Sequence, residues 1–408
     1  MSFSVTLLQF VATLDVFAVG LIVPLIPNHV RQMGVNHICI GLLSSLFAGF
    51  QLFSGPVIGS LSDLKGRKQI LILTLLVCSV AYMTLGATNS IAIMLLTRPV
   101  LGIFKQTQLL TKAMVPDYER DEKKQSVIYG NMFAICGVGI ALGPVVSGHI
   151  VEEHPIHGFH IASVLVAICF LVNACLVYLL PKANVPVRRK SNPTTSSHSI
   201  LQSLLSCSKQ SFVHLSKVEW SKYSTIFTFQ ALNSFAMAVY VSNYAPYLKS
   251  QYGLSPKHIG YVVSIQGVMG AISSFMMGYI NSFYTHDKDY SIRNYHVFLL
   301  LSASLLGICL SINIVMYTAL LFPLAICNAV GRLVTLEMVL KKSHGDHRGT
   351  VIGASNSVRS LAGVVAPLVA GFVGEFFGLA YVIYASLFST CIGLIMSFHY
   401  KNKQLKVE

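Results

Sequence analysis

Three ionisable residues lie within long apolar runs near the start of the chain: Asp15 in the run 3–27, and Arg98 and Lys105 in the run 90–110. If these runs cross a membrane, each charge costs roughly 2.5–3.5 kcal/mol to insert, so all three residues are candidates for a functional site. The residues three and four positions from Asp15 are apolar. Its carboxylate must therefore carry a proton, face a cavity, or pair with a residue of another helix.

Asp15 and Arg98 have opposite charges, and together they can control a proton. A nearby arginine favours the ionised carboxylate, whereas desolvation favours the protonated form. We predict that Asp15 and Arg98 interact, and that a change in this balance makes Asp15 take up or release a proton. A purely structural charge pair and a superficial position of Asp15 are the alternatives. Arg98 is also a candidate for substrate contact or for joining two helices.

Lys105 lies seven residues after Arg98, which is two turns of a continuous helix and places both side chains on one face. At about 1.5 Å per residue, Lys105 is then ~10 Å nearer to the end of the run. Two roles are open for Lys105: contact with a solute cavity, and snorkelling of its ammonium group to the membrane interface.

Further polar residues lie in the apolar runs of the second half. We predict that they line a solute cavity, and interhelical hydrogen bonding explains each of the uncharged ones equally well. For Glu337 and Arg359, gating pairs are favoured over contact with the solute. The candidates are Gln230, Asn233, Asn243, Gln266, Asn328, Arg332, Glu337 and Arg359.

The composition requires a membrane, because only 11% of the 408 residues are charged and 54% are hydrophobic. Soluble domains carry about 25% charged residues, so this chain cannot cover a surface in water. A membrane-spanning helix needs roughly 20 apolar residues. We predict an all-α polytopic membrane protein with about twelve transmembrane helices, near residues 3–27, 40–61, 69–88, 90–110, 127–150, 160–180, 223–247, 258–280, 295–314, 316–338, 350–374 and 379–399.

The net charge of +14 is concentrated on alternate connections between these runs. Of the 29 Lys and Arg residues, 22 lie in the connections and tail assigned to the cytosol, three in the opposite loops and four within the runs. This asymmetry follows the positive-inside rule, and it predicts cytosolic termini in a plasma membrane or endomembrane. It also disfavours nucleic acid as a partner. The expected partners are the lipid bilayer, a small-molecule substrate and protons, and the protein is expected to be a monomer.

Sequence motifs of enzymes and ATP-driven pumps are missing. The nine cysteines have no CxxC or metal-ligand spacing, so we expect reduced thiols and no metal site. The sequence also has no GxxxxGK[ST] phosphate loop and no HExxH or GxSxG motif. We therefore expect that the protein is not an enzyme and needs no cofactor.

Two of the runs share an arrangement of small residues and proline. Its members are Gly139, Gly143, Pro144 and Gly148 in the fifth run, and Pro367 and Gly371 in the eleventh. Small residues allow close helix packing, and their repetition favours a role in gating. The repetition also predicts two six-helix halves, with substrate bound between them near the midplane. The predicted domains are residues 1–180 and 223–400, with a cytosolic linker 181–222 and a tail 401–408.

A loop motif between the second and third runs is the strongest local signal. Gly59, Asp63, Gly66, Arg67 and Lys68 stand in the pattern G-x-L-x-D-x-x-G-R-K. Gly66 permits a tight turn, Asp63 can accept hydrogen bonds from an arginine or a helix N-terminus, and the basic pair holds the loop at the inner face. The pattern resembles the loop motif of the major facilitator superfamily. We predict that Asp63 locks the two halves together at the cytosolic face; the corresponding loop of the second half has lost the pattern.

The resemblance to this superfamily extends over nearly the whole chain. Asp15 with Gly20, Pro24 and Pro27 resembles the first-span motif of drug-proton antiporters and tetracycline exporters. The small residues of the fifth run resemble the antiporter motif of the fifth span. The segment 98–107 departs from the fourth-span antiporter pattern and resembles instead an animal group of transporters without a defined substrate.

The resemblance implies a secondary active transporter that moves a small solute by alternating access, with the proton as the favoured driving ion. Two alternatives remain open. One is a passive facilitator of the same fold, and the other is a membrane scaffold or receptor that has kept the fold. The buried charges at Asp15 and Arg98 argue against a scaffold, which has no use for them.

Overall fold

The computed structural model describes residues 3–181, 220–284, 287, 289–343 and 348–405. Within these ranges the chain forms helices and no strands. The predicted linker 181–222 lies outside the described residues except at its two ends, and the predicted tail is described as far as residue 405.

The described ranges contain fifteen helices, several of them in pairs separated by a short break. In chain order they are α1 (Phe3–Ile22), α2 (Ile26–Gln32), α3 (His37–Lys65), α4 (Arg67–Ala87), α5 (Ile91–Phe104), α6 (Thr107–Tyr118), α7 (Glu122–Glu153), α8 (Gly158–Leu179), α9 (Trp220–Tyr252), α10 (Pro256–Phe275), α11 (Met277–Ser282), α12 (Ser291–Cys309), α13 (Ile314–Lys342), α14 (Arg348–Phe376) and α15 (Leu379–Leu405).

The predicted fold class is confirmed, since each of the twelve predicted runs is largely helical, although the runs 3–27, 90–110 and 258–280 are each divided between two helices. Among the described residues, nine helical stretches are long and apolar enough to cross a membrane. The predicted runs that fall short of this criterion correspond to α5, α9 and α10. α5 is short because it ends at Phe104, and α9 carries Gln230, Asn233 and Asn243 within its length.

The described residues group into two compact units. Unit 1 lies within Met1–Leu25 and Leu46–Ser216, and unit 2 lies within Ile26–Ser45 and Lys217–Glu408. The segment Ile26–Ser45 is thus packed with the later part of the chain, although the sequence assigns it to the first half.

Glycines bring α1 and α7 into close contact in unit 1. A Cβ atom on Gly143 would lie 2.6 Å from the carbonyl carbon of Gly20, and one on Gly139 would lie 2.8 Å from the carbonyl oxygen of Thr13. Real Cβ atoms do not approach this closely. These two positions of the fifth-run motif therefore require glycine for the packing of these helices, as expected for small residues at helix contacts in membranes.

The start of α3 packs equally closely on α14 in unit 2. A Cβ atom on Gly41 would lie 2.2 Å from the carbonyl oxygen of Pro367, and one on Gly371 would lie 2.6 Å from that of His37. The hydroxyl of Ser45 donates to the carbonyl oxygen of Val364 at 2.6 Å. This contact, centred on Gly41, explains why Ile26–Ser45 belongs to unit 2.

Candidate functional site

The carboxylate of Asp15 lies in the interior of unit 1, where its residue is only 1% exposed. The Nζ atom of Lys105 lies 2.7 Å from both Oδ1 and Oδ2 of Asp15. The amide Nε2 of Gln108 donates to Oδ2 at 3.2 Å and to the carbonyl oxygen of Ala12 at 2.8 Å. One ammonium group and one amide thus bind this carboxylate, so it is held as half of a buried ion pair.

The predicted pair between Asp15 and Arg98 is therefore wrong in its partner. The prediction assumed one continuous helix through Arg98 and Lys105, on which both share a face. α5 instead ends at Phe104, and Lys105 is the first residue beyond it, with φ −76° and ψ 64°. Because the helix stops there, the side chain of Lys105 is free to point at α1.

The break between α5 and α6 exposes backbone groups that side chains of α3 satisfy. The amide Nε2 of Gln51 donates to the carbonyl oxygen of Lys105 at 3.0 Å. In return, Nε2 of Gln106 donates to the carbonyl oxygen of Gln51 at 3.1 Å and to the hydroxyl of Ser54 at 2.8 Å. Non-helical backbone at membrane depth is tolerated only where protein or water satisfies it. This exchange of amides stabilises the break and fixes the position of Lys105.

Arg98 is 6% exposed and lies on α5 in the interior of unit 1. Its Nε has no hydrogen-bond partner in the described part of the chain. No carboxylate of the described residues lies within 4.0 Å of its guanidinium nitrogens. Nearby along α4, Tyr82 stacks on Phe170 at 5.3 Å between ring centroids. Arg98 is thus a buried cation without a carboxylate partner among the described residues.

The loop motif forms a charge network within unit 1. Gly66 has a φ of 101°, in the region that favours glycine, and it turns the chain directly before α4. Arg67 lies 2.8 Å from Oδ1 of Asp63 and 2.9 Å from Oδ1 of Asp117 on α6. Lys68 donates to the carbonyl oxygen of Tyr178 at 2.9 Å. Burial raises the pKa of Asp117, against the opposing effect of Arg67.

Gly59, the first residue of the motif, has more room than the glycines of α1 and α7. A Cβ atom there would meet the side chain of Leu109 at 4.0 Å, which is an ordinary contact. The gating role of Asp63 between the two halves stays a prediction.

Unit 2 contains a similar network although its sequence has lost the pattern. Asp287 is 5% exposed and accepts hydrogen bonds from the backbone N–H of Ile292 at 3.1 Å and of Arg293 at 2.8 Å. The Nε of Arg293 lies 3.1 Å from Oδ2 of Asp287, and its Nη1 lies 3.9 Å from Oε2 of Glu337. Arg293, near the start of α12, thus lies between Asp287 before it and Glu337 near the end of α13. Arg67, at the start of α4, lies in the same way between Asp63 and Asp117.

The other polar candidates of unit 2 lie on α9, α10, α13 and α14. Gln230 is buried and donates from Nε2 to the carbonyl oxygen of Ser355 at 3.0 Å, while the hydroxyl of Ser355 donates to its Oε1. Asn233 is 3% exposed and its Oδ1 has no partner in the described ranges. Gln230 therefore makes interhelical hydrogen bonds, whereas the role of Asn233 in the cavity stays a prediction.

Two more candidates of unit 2, Gln266 and Asn328, are half-buried. Asn243 donates from Nδ2 to the hydroxyl of Ser242 at 2.8 Å. Arg332, also half-buried, has a buried Nε without a partner among the described residues. Arg359 is exposed.

A large apolar groove of about 730 Å³ also lies in unit 2, between α9, α14 and α15. Its walls include Phe227, Leu361 and Phe388, and the last two are 57% and 69% exposed. None of the polar candidates lines it. Exposed apolar walls of this kind suit contact with lipid chains, so the groove carries none of the chemistry described above.

Sequence reasoning missed two features of these sites. The first is the break at Lys105, for which the polar run Lys105-Gln106-Thr107 inside an apolar stretch, after Pro99 and Gly102, was the available signal. The second is Arg293 as a counterpart of Arg67, which only the folded contacts bring out.

Comparison with known proteins places these features in a family. The family description "Major Facilitator Superfamily" matches residues 5–282 and 226–407. The quinolone resistance protein NorA of Staphylococcus aureus (strain MRSA252) is 22% identical over 373 residues, which cover 91% of this chain and 90% of the relative. The class C tetracycline resistance protein of Escherichia coli is 24% identical over 401 residues, covering 93% of both.

Solved structures share the fold. A bacterial homologue of the human lysosomal transporter Spinster, in an inward-facing and unoccupied conformation, matches with a TM-score of 0.79 and 15% identity, covering 99% of this chain and 98% of its own. The human organic anion transporter MFSD10 (TETRAN) matches with a TM-score of 0.65 and 18% identity, covering 97% of this chain and 100% of its own.

Proposed function

Because the chain belongs to the Major Facilitator Superfamily, we propose that it is a secondary active transporter that moves a small solute by alternating access and is driven by protons. The protein is a multi-pass integral membrane transport protein and not an enzyme.

The observation that carries the proposal is the buried ion pair between Asp15 and Lys105 at a break in the fourth span. An ion pair in a low-dielectric interior depends on both charges, and loss of one leaves the other buried and costly. A proton that reaches Asp15 removes its charge and weakens its hold on Lys105. Lys105 belongs to the break between α5 and α6, so release of its ammonium group frees the joint at which the span bends. Protonation and helix movement are coupled in this way.

The names of the relatives support a solute of drug type. NorA is named for quinolone resistance, and the Escherichia coli relative for tetracycline resistance. The structural relative MFSD10 is named as an organic anion transporter. We assign cytosolic termini to the chain on the basis of its charge asymmetry. We also propose a monomer as the working unit, with substrate bound between two six-helix halves.

Close contacts at both ends of the helices are proposed as the gates. The loop motif around Arg67 holds α3, α4 and α6 at one end, and Asp63, whose side chain is 61% exposed, remains available to a further partner there. At the other end of α3, Gly41 packs closely against Pro367 of α14. Contacts of these kinds must open and re-form during alternating access, because packed interfaces switch between discrete arrangements.

A passive facilitator of the same fold is the second candidate, and a scaffold or receptor is the third. A facilitator has no need of a titratable group, and a scaffold has no need of an uncompensated buried charge. The Asp15–Lys105 pair therefore argues against a passive facilitator, and the buried Arg98 argues against a scaffold or receptor.

Solute transport by purified protein in proteoliposomes with an imposed pH gradient tests the proposal. We expect fluorescent organic solutes to accumulate only with a gradient of the correct direction, and a protonophore to abolish the accumulation. Asp15→Asn should lose the response to the gradient and keep exchange of solute across the membrane. Movement that only equilibrates the solute and ignores the gradient would favour the facilitator, and absence of movement for every solute tested would favour the scaffold.

A further inference from the structure

The apolar groove of unit 2 is open along its length, because several of its wall residues are exposed. It encloses about 730 Å³ between α9, α14 and α15, and all of its lining residues belong to unit 2. Trp220 of α9 is 43% exposed, and Leu361 of α14 and Phe388 of α15 are more exposed still. α14 and α15 are long and apolar enough to cross a membrane. Exposed apolar walls on such helices mark a surface for membrane lipid.

The hydroxyl groups in the lining of the groove already donate hydrogen bonds. Ser224 and Thr228 donate to carbonyl oxygens about one turn earlier in α9, at 3.0 and 2.9 Å. Ser389 of α15 donates to the carbonyl oxygen of Leu232 at 3.0 Å. The other lining side chains are apolar, apart from the indole N–H of Trp220. Burying a polar group without a partner is costly, so the groove suits a hydrocarbon chain whose polar end stays at the mouth.

Two hydrogen bonds show how α9 and α15 lie side by side. The hydroxyl of Ser386 donates to the carbonyl oxygen of Ala236 at 2.8 Å, and that of Ser389 to the carbonyl oxygen of Leu232 at 3.0 Å. A later residue of α15 thus meets an earlier residue of α9, so the two helices are antiparallel. Because the rise per residue is the same in both helices, the last turn of α15 lies level with Trp220. This end of the groove is its mouth.

Lys403 brings a positive charge to the mouth of the groove. It follows the lining residue Ala385 by eighteen residues of continuous helix, which is five full turns, so both residues lie on one face of α15. Lys403 is exposed, and no carboxylate of the described residues lies within 4.0 Å of its ammonium group. Trp220 lies at the same level, as is usual for tryptophan at a membrane interface.

We propose that the groove binds an anionic phospholipid, with an acyl chain between α9, α14 and α15 and the charged headgroup beside Lys403. The lining residues Trp220 and Phe235 are about 22 Å apart along α9, whereas half of the hydrocarbon core is about 15 Å thick. The groove is therefore long enough for the chain of one leaflet. A lysine at the membrane surface attracts anionic lipid, which favours this lipid over a zwitterionic one or a sterol. The site is independent of Asp15, Lys105 and the driving ion.

Trp220 reports on the mouth of the groove directly, because it is the only tryptophan of the chain. The purified full-length protein is reconstituted into phosphatidylcholine vesicles that contain increasing fractions of phosphatidylglycerol brominated near the carboxyl end of its acyl chains. Bromine quenches tryptophan fluorescence at short range. A parallel series uses phosphatidylcholine with the same brominated chains. We expect brominated phosphatidylglycerol to reach half of its maximal quenching at a roughly five-fold lower mole fraction, the value for one lysine at a membrane surface.

Three variants assign this preference to the groove and its lysine. Lys403→Gln should abolish the five-fold difference between the two lipids. Lys401→Gln is the matched control, because its Nζ lies 4.6 Å from the ring centre of Tyr295, and it should keep the difference. Ala231→Phe fills the groove with a larger side chain and leaves Lys403 in place, and it should also abolish the difference.

Three results would overturn the inference. One is equal quenching of the wild-type protein by the two brominated lipids at every fraction, which is the behaviour of bulk lipid. Another is a preference that Lys403→Gln retains or that Lys401→Gln also loses. The last is an unchanged preference in Ala231→Phe, since the lipid would then lie outside the groove. None of these results depends on transport, which is judged separately by the response to a pH gradient.

Discussion

Replacement of Lys105 by methionine isolates the energetics of the buried ion pair. The side chains of Asp15 and Lys105 are 1% and 6% exposed, so solvent cannot replace the lost ammonium group. Breaking a buried pair by removal of one partner costs about 3–5 kcal/mol. Uptake of a proton limits the loss, because protonating an ordinary aspartate at pH 7 costs about 4 kcal/mol, or three pH units of 1.36 kcal/mol each. Both routes lead to a similar destabilisation near neutral pH.

The pH dependence shows which route is taken. A proton neutralises Asp15 at less cost as the pH falls, so the stability deficit of Lys105→Met relative to wild type should shrink between pH 8 and pH 5. Thermal unfolding of the purified protein, reported by a dye that reacts with newly exposed cysteines, measures the deficit. The double variant Asp15→Asn/Lys105→Met lacks both charges of this pair, and it should recover most of the lost stability.

Two results would refute this reasoning. One is a deficit under about 1 kcal/mol for Lys105→Met at pH 7, which is the value of an exposed pair and would mean that water reaches the site. The other is a double variant no more stable than Lys105→Met, since the deficit would then arise from lost packing of the lysine stem rather than from the charge on Asp15.

Further predictions concern the close helix contact and the two charge networks. Gly41→Ala places a Cβ atom 2.2 Å from a carbonyl oxygen of α14, so it should separate the start of α3 from α14. Cys39 should then react faster with a membrane-impermeant maleimide, as measured by mass spectrometry. Gly363→Ala is the control, because nothing lies within 4 Å of its added atom, and equal labelling of both variants would contradict the packing argument. Arg293→Gln should lower the thermal stability by about 3–5 kcal/mol, because its carboxylate partner is buried. Arg67→Gln, whose partners are more exposed, should lose about 1 kcal/mol, and the reverse order would refute the comparison.

The fold could be predicted from the sequence because lipid imposes one simple constraint. Backbone groups in a bilayer must be satisfied within a helix, so long apolar runs translate directly into helices. Each of the twelve runs is therefore largely helical. The break at Lys105 escaped this reasoning, since amide side chains of Gln51 and Gln106 satisfy the freed backbone groups from a neighbouring helix.

The candidate site was predictable in its members and not in its pairing. Asp15, Arg98 and Lys105 stand out in the sequence because charges are costly in apolar surroundings. Which cation meets Asp15 depends on whether the helix continues past Phe104, and that depends on contacts with α3. Similarly, the network of Arg293 joins residues that no short motif contains, because its acids lie on both sides of α12 in sequence.

The central claim is that Asp15 carries the proton that drives transport. Its most direct test records the pH inside proteoliposomes with a trapped pH-sensitive dye, while a transported solute is added outside without any imposed gradient. The account predicts solute-driven movement of protons in the wild-type protein, and none in Asp15→Asn, which still exchanges the solute. Equal proton movement in both proteins would contradict it.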